Sequence, residues 1–291
     1  MERDIIAKIN QNYKYFSKGQ KRLAEYVLKN YDKAVFLSAA KLGEMVGVSE
    51  STVFRFAVSL GYEGYPQFHK ALEEVVKNKL NTVQKLELTN DRIHQKDVLK
   101  TVLQSDAEKI RTTMENIDPA VFEQAVDTIL RAQTIYIIGV RSSAPLASML
   151  AFHMNVVFPR VKLIETNSMG EMFEKIIHMD DKDVLIAISF PRYSLSTLRA
   201  LEYAMKRNTT IITITDSCKS PLTQFSECNL IANCDLVSVV DSLVAPMSVI
   251  NALIVAIFLK RHETVLTTLS SLEDIWKEYQ IYNFDEEEKN T

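Results

Sequence analysis

Two short stretches place serines where an apolar run gives way to a helical pattern. The first reads Val140-Arg141-Ser142-Ser143-Ala144-Pro145 and follows the apolar residues 134–139. The second reads Ser189-Phe190-Pro191-Arg192-Tyr193-Ser194 and ends the apolar run 183–190. A helix start carries free N–H groups and the positive end of its dipole, which together attract an anion. Ser143 is the expected N-cap of the first helix, with Pro145 tolerated in its opening turn. Serine hydroxyls add donors suited to phosphate oxygens. A serine at either junction could instead do no more than cap its helix. Two such loops after parallel strands favour the ligand reading, because open α/β sheets hold ligands at the carboxyl ends of their strands.

A different chemistry is legible in residues 37–60, LSAAKLGEMVGVSESTVFRFAVSL. A helix over 38–46 is predicted to break at Gly47, and Ser49 is placed to cap a second one. In the second helix Val53, Phe56, Ala57 and Leu60 recur at i, i+3, i+4 and i+7, which makes a buried face. Ser51, Thr52 and Arg55 then point outward. Short hydroxyls in the first turn with an arginine one turn later suit a helix that reads base edges in a DNA major groove; the same pattern equally fits a simple three-helix packing unit whose Arg55 is only solvated. Ser38 and Lys41 lie near the start of the preceding helix, suitably placed for a backbone phosphate.

The surrounding pattern divides the chain. Residues 1–77 are helical in periodicity throughout, with no alternating strand pattern. They carry 12 Lys/Arg against 9 Asp/Glu, whereas 78–291 carry 22 against 28, a mildly basic head on an acidic body. Residues 78–120 are polar with sparse apolar positions and read as a helical linker, including a helix over 98–114 that packs on one side. From 121 to 282 short Ile/Val/Thr-rich runs at 134–140, 161–164, 184–190 and 210–215 alternate with helical patterns at 144–157, 168–177 and 195–206. Near-continuous apolar strands alternating with helices specify a parallel sheet covered on both faces. A further strand at 229–232 and two helices over 243–281 complete this part. Residues 283–291 form a charged tail. The expected fold class is therefore α plus α/β, an all-helical domain followed by a Rossmann-like parallel-sheet domain.

The remaining chemistry classes find little support. Cys218, Cys228 and Cys234 show no C-x-x-C spacing and read as free thiols in a reducing compartment. No metal-ligand spacing occurs, and no cofactor is expected. Residues 1–10 hold no apolar run of a secretory signal. The longest apolar segment, 243–259, is interrupted by Pro246, Ser248 and Asn251 and reads as a buried helix, not a membrane span. A cytoplasmic protein with no membrane partner is expected.

The run VSESTVFRFAVSLGYEGYPQF resembles the helix-turn-helix signature of the RpiR/MurR transcriptional regulators, with its Val-Ser start, Thr-Val-x-Arg-Phe core and Leu-Gly-Tyr-x-Gly-Tyr exit. The resemblance implies that Ser51, Thr52 and Arg55 face DNA while Val53 and Phe56 are core. Residues 121–260 resemble the sugar isomerase (SIS) domain, a phosphosugar-binding module. In its usual Ser-x-Ser-Gly-x-Thr loop, Ser189 matches the first serine and Ser194 the threonine, while Pro191 and Arg192 replace the middle pair. Loss of that glycine removes a point of close approach, and Arg192 adds a cation able to pair with phosphate. The loop at 141–143 fits the second region, with Ser142 and Ser143 as donors and Arg141 as a second cation. The resemblance implies a regulator of carbohydrate metabolism genes that binds double-stranded operator DNA as a homodimer or dimer of dimers, modulated by a sugar phosphate. SIS domains also serve aldose–ketose isomerases, which need a proton-shuttling base. Glu165, Glu171 and His178 are the candidates here, but no pair forms a catalytic motif, so no enzyme is expected.

Overall fold

The computed structural model describes residues 5–79, 97–166, 168–234 and 241–282. They form two compact units that divide between Gln104 and Ser105, with Asp241 and Ser242 clustering with the first.

The first unit is all-helical: α1 (Ile5–Asn12), α2 (Lys18–Lys29), the single turn α3 (Tyr31–Ala34), α4 (Ala39–Val46), α5 (Glu50–Ser59) and α6 (Tyr65–Lys79). Each boundary has a local cause. A capping box joins Ser17 and Gln20 at the start of α2. Ser38 Oγ accepts the Lys41 amide at the start of α4, and Gly47 ends that helix in the left-handed region at φ 70°. The core is a chain of edge-to-face rings, Phe16–Phe56–Phe68, at centroid distances of 5.2 and 5.7 Å. Gly43 lets α4 and α5 close on each other. A Cβ there would lie 2.7 Å from the Val48 carbonyl oxygen, so no larger residue fits without backbone movement.

Helix α7 (Val98–Asn116) leads into the second unit, where Thr113 Oγ1 accepts the Asn233 amide at 2.8 Å. The buried face of α7 carries Lys109 and Thr113, while Leu99, Leu103, Ile110 and Met114 are exposed. There follow α8 (Pro119–Arg131), β1 (Ile135–Gly139), α9 (Ala144–Val157), β2 (Val161–Ile164), α10 (Met169–Ile176), β3 (Val184–Ile188), α11 (Leu195–Lys206), β4 (Thr210–Thr215), β5 (Cys228–Ile231), α12 (Val244–Lys260) and α13 (His262–Glu278). All strand pairs are parallel and the order is β2-β1-β3-β4-β5.

Alternation within the strands builds two cores. Ile135, Ile137, Val184, Ile186 and Ile212 face α8, α9 and α12. Tyr136, Ile138, Leu185 and Ala187 face α10 and α11. Burial on both faces explains the uninterrupted apolar runs. Among the described residues no single helix is long and apolar enough to cross a membrane; α12 and α13 pass together but are bent by 98°.

Candidate functional sites in two units

In the first unit, α5 buries Val53, Phe56 and Ala57 and leaves Ser51 and Arg55 exposed, with Thr52 half-exposed. Ser49 occupies the N-cap position in extended conformation but makes no capping hydrogen bond. This corrects the capping role read from its place in the chain. Its hydroxyl lies 2.9 Å from both Ser51 Oγ and Thr52 Oγ1, so neighbouring hydroxyls compete with the amides for it. Arg55 folds back along the helix, donating to Ser51 O at 3.3 Å and to Thr52 Oγ1 at 3.5 Å. Ser38 is engaged as a cap. Lys41 stands 3.8 Å from Glu44 with both side chains largely in solvent, an ion pair of small energetic weight.

The start of α2 also reaches this helix, which the motif reading did not anticipate. Gln20 Nε2 donates to Arg55 O at 3.4 Å across 35 residues of chain. Between the two elements lies a cavity of about 570 Å³ lined by Ser17, Gly19, Gln20, Arg22, Val48, Ser49, Thr52 and Arg55. The signal for it was present in Ser17-Lys18-Gly19-Gln20-Lys21-Arg22, a capping box with basic residues, but nothing local links that stretch to α5.

In the second unit the strand order places β1 beside β3, with Gly139 paired to Ile188. Both serine loops thus leave neighbouring strands at the point where the strand order reverses, the crevice in which open α/β sheets hold ligands. Gly139 permits the tight exit of β1, since a Cβ there would lie 2.7 Å from the Ser143 carbonyl oxygen. Arg141 takes a left-handed φ of 57° and opens a 3₁₀ turn, Arg141–Ser143. Ser142 is exposed and Ser143 is 3 % exposed. The expectation that Ser143 caps α9 fails: its backbone is already helical and its hydroxyl makes no capping bond. The 3₁₀ turn carries the chain into α9 without the extended residue that a side-chain cap requires.

The β3 loop is more tightly tied. Ser189 is buried, and its Oγ accepts the Ser194 amide at 3.3 Å. Ser194 caps α11, accepting the Thr197 amide at 3.4 Å. The end of β4 braces the loop: Thr215 Oγ1 lies 2.9 Å from Ser189 O, and Tyr193 donates to Asp216 Oδ1 at 2.8 Å. Burial, followed by the Asp216 charge, pushes the Tyr193 phenol far above its ordinary range, so it remains a donor. Arg192 and Arg141 are exposed, and their guanidinium groups make no hydrogen bond or ion pair among the described residues.

Of the acid–base candidates, Glu165 and Glu171 lie together around Lys175, and His178 lies elsewhere. Glu165 is exposed just beyond β2, and its carbonyl accepts from Lys175. Glu171 is held below the usual carboxylate range, first by the Thr166 hydroxyl and then by Lys175. His178 lines a cavity of about 520 Å³ at the amino ends of β1 to β3, beside Thr134, Lys162 and Asp183, the opposite end of the sheet from the serine loops. Among the described residues no group of three or more His, Cys, Asp or Glu could hold a metal ion.

Comparison with known proteins agrees with both halves. Residues 3–79 match the helix-turn-helix domain of the rpiR family, and residues 128–256 match the SIS domain. The Escherichia coli HTH-type transcriptional regulator HexR is 24% identical over 290 residues, covering 94% of this chain and 95% of its own. An uncharacterised HTH-type regulator of Clostridium perfringens is 27% identical over 219 residues, covering 74% of this chain and 76% of its own. Among solved structures, the sugar isomerase domain of an RpiR transcription factor from Sphaerobacter thermophilus superimposes with a TM-score of 0.57 at 26% identity, covering 61% of this chain and 99% of that one. The Vibrio vulnificus NanR protein, complexed with ManNAc-6P, shares the fold with a TM-score of 0.59 at 19% identity, over 94% of this chain and 98% of that one.

Proposed function

The chain belongs to the RpiR family of helix-turn-helix regulators, and from that premise we propose that it binds operator DNA through α5 and adjusts that binding to a sugar phosphate held in its SIS domain. The observation that carries the ligand assignment is the adjacency of β1 and β3 at the reversal of strand order. It brings two serine loops to one crevice, and the guanidinium groups of Arg141 and Arg192 on those loops have no partner among the described residues. We assign the hydroxyls of Ser142, Ser143, Ser189 and Ser194 to the phosphate oxygens. Ser194 can serve as cap and ligand together, because its lone pair accepts the Thr197 amide while its O–H stays available to donate. NanR, solved with ManNAc-6P, supports a phosphorylated sugar as the ligand class.

For DNA, Ser51, Thr52 and Arg55 read base edges, while Ser38, Lys41 and Ser49 position the motif on the backbone. The genes controlled are those of carbohydrate metabolism. Regulation is a coupling free energy: the ligand shifts affinity for DNA by as much as it binds one arrangement of the protein better than another. A role as regulator, not isomerase, is supported by the fused reader and by the place of His178 at the opposite end of the sheet from the serine loops. We assign a cytoplasmic homodimer, or dimer of dimers, paired through the second unit. There α9, α12 and α13 expose Phe152, Val255, Leu259 and Leu266, an apolar display that suits a second copy. We assign a reader over 1–77, a connector over 78–120 and a ligand domain over 121–282.

The test has two arms. Duplexes selected from a random pool should bind the wild type far more tightly than unselected duplex, and Arg55→Ala should lose that binding while keeping its melting temperature. Thr52→Ala should weaken the selected duplex more than the random one. A panel of sugar phosphates with their unphosphorylated sugars should then identify a phosphate that raises the melting temperature and alters DNA affinity. No preference for any duplex, or a free sugar as effective as its phosphate, refutes the assignment.

A further inference from the structure

Beyond the residues that read bases, we infer that the cleft between the start of α2 and the start of α5 is the seat of one DNA backbone phosphate. This rests on the DNA-binding role of α5 proposed above. The cleft collects two guanidinium groups and several hydroxyls, and no carboxylate lines it. Arg22 comes from α2 and Arg55 from α5, so the two cations line one cleft only because the helices pack together.

Three contacts set their placement. Gln20 accepts the Ser17 amide and donates to Arg55 O, locking the first turn of α2 to the second turn of α5. Arg22 Nη2 donates to Gly47 O at 2.9 Å, which anchors its guanidinium at the turn between α4 and α5. A guanidinium carries five N–H donors in a fixed fork, so this single bond leaves the others for an oxyanion. Gly19 brings the helices close: a Cβ there would already lie 3.3 Å from Thr52 Cγ2. Convergent donors with no carboxylate among the lining residues suit an oxyanion such as a phosphate.

Its place in the unit decides the source of that phosphate. Thr52 and Arg55 line the cleft and also belong to the exposed face of α5. Any duplex whose groove admits that face must bring its own backbone to the rim. A contact of this kind carries no sequence information but fixes the register and angle at which α5 enters the groove. The same chemistry could hold free inorganic phosphate or a nucleotide, and the experiment separates these.

The measurement uses the full chain, with affinities for selected and random duplexes taken across a salt series. Arg22→Gln keeps an N–H donor for Gly47 O but removes the charge, and Gln20→Glu keeps the capping-box acceptor while placing a carboxylate in the cleft. Arg22→Gln should retain the melting temperature of the wild type, while Gln20→Glu, which also gives up the N–H donor to Arg55 O, should stay folded with a slightly lower one. Both should weaken the two duplexes by the same factor, on the order of tenfold or more for a charged contact. For Arg22→Gln the slope of log affinity against log salt should fall by about one. In a scan of methylphosphonate substitutions, one position should affect the wild type strongly and Arg22→Gln hardly at all. Unchanged affinity and slope in both variants overturn the proposal. So does a protein in which inorganic phosphate protects against melting through Arg22 while no backbone position responds. A wild type that binds no duplex at all refutes the regulator reading itself, and this inference with it.

Discussion

Ser194 carries two assigned duties, and substitution can separate them. Its Oγ accepts the Thr197 amide at the start of α11, and in the proposed complex its O–H donates to a phosphate oxygen. Replacing an N-cap serine with alanine costs about 1 kcal/mol. In a unit of this size that lowers the melting temperature by roughly 2–4 °C. The lost bond to a charged ligand is worth about 1.5–3 kcal/mol, or ten- to a hundredfold in Kd. At ligand a hundred times above the wild-type Kd, binding stabilises the wild type by about 2.7 kcal/mol. In Ser194→Ala the same concentration should give only about 0.4–1.4 kcal/mol, by the same relation. Ser194→Asp sharpens the contrast, since aspartate caps as well as serine but sets a negative charge against the phosphate. Thermal shift with and without the ligand found in the panel reads both quantities. Ser194→Asp should match the wild-type melting temperature without ligand and show no shift with it. A full ligand shift in Ser194→Asp would mean that Ser194 is a cap and nothing more, and the phosphate would have to be placed elsewhere.

Other outcomes follow from single contacts. Gly43→Ala sets a methyl 2.7 Å from Val48 O; forcing the helices apart should destabilise the reader by about 1–3 kcal/mol and abolish duplex binding. An unchanged melting profile would show that the approach is not tight. Tyr65 donates to Leu37 O, and burial raises its phenol to about 12. A folded-state value above the unfolded 10 means that this stabilisation is complete below pH 10 and is lost as pH rises toward 12. The stability difference between wild type and Tyr65→Phe, about 1 kcal/mol at neutral pH, should therefore shrink across that window in denaturant titrations. A constant difference would exclude burial of an ionisable phenol. Leu259, 70 % exposed on α12, should be covered in the homodimer. Leu259→Glu should then shift light-scattering mass to the monomer, and an unaltered mass would move the interface off this face.

Much of the architecture was readable from local pattern. The period of Val53, Phe56, Ala57 and Leu60, with Gly47 before it, defines a helix-turn-helix because burial of one helix face and a left-handed break are properties of a few consecutive residues. The Ile/Val/Thr runs likewise announce strands buried on both sides, and they appear at 135–139, 161–164, 184–188 and 210–215. The position of Ser189 and Ser194 at the end of a strand and the head of a helix follows from the same local grammar. What local pattern misjudged was the fate of individual hydroxyls. Ser49 and Ser143 stand where caps usually stand, yet Ser49 turns to its neighbours and Ser143 lies in a 3₁₀ turn. A hydroxyl chooses among competing partners only once the backbone around it is set. Tertiary structure alone decided three further things: that β1 pairs with β3, that Gln20 reaches Arg55, and that Gly43 meets Val48 O. Periodicity reports which face of an element is buried but not what buries it. That adjacency is settled by packing between segments far apart in the chain, and both proposed phosphate sites depend on it.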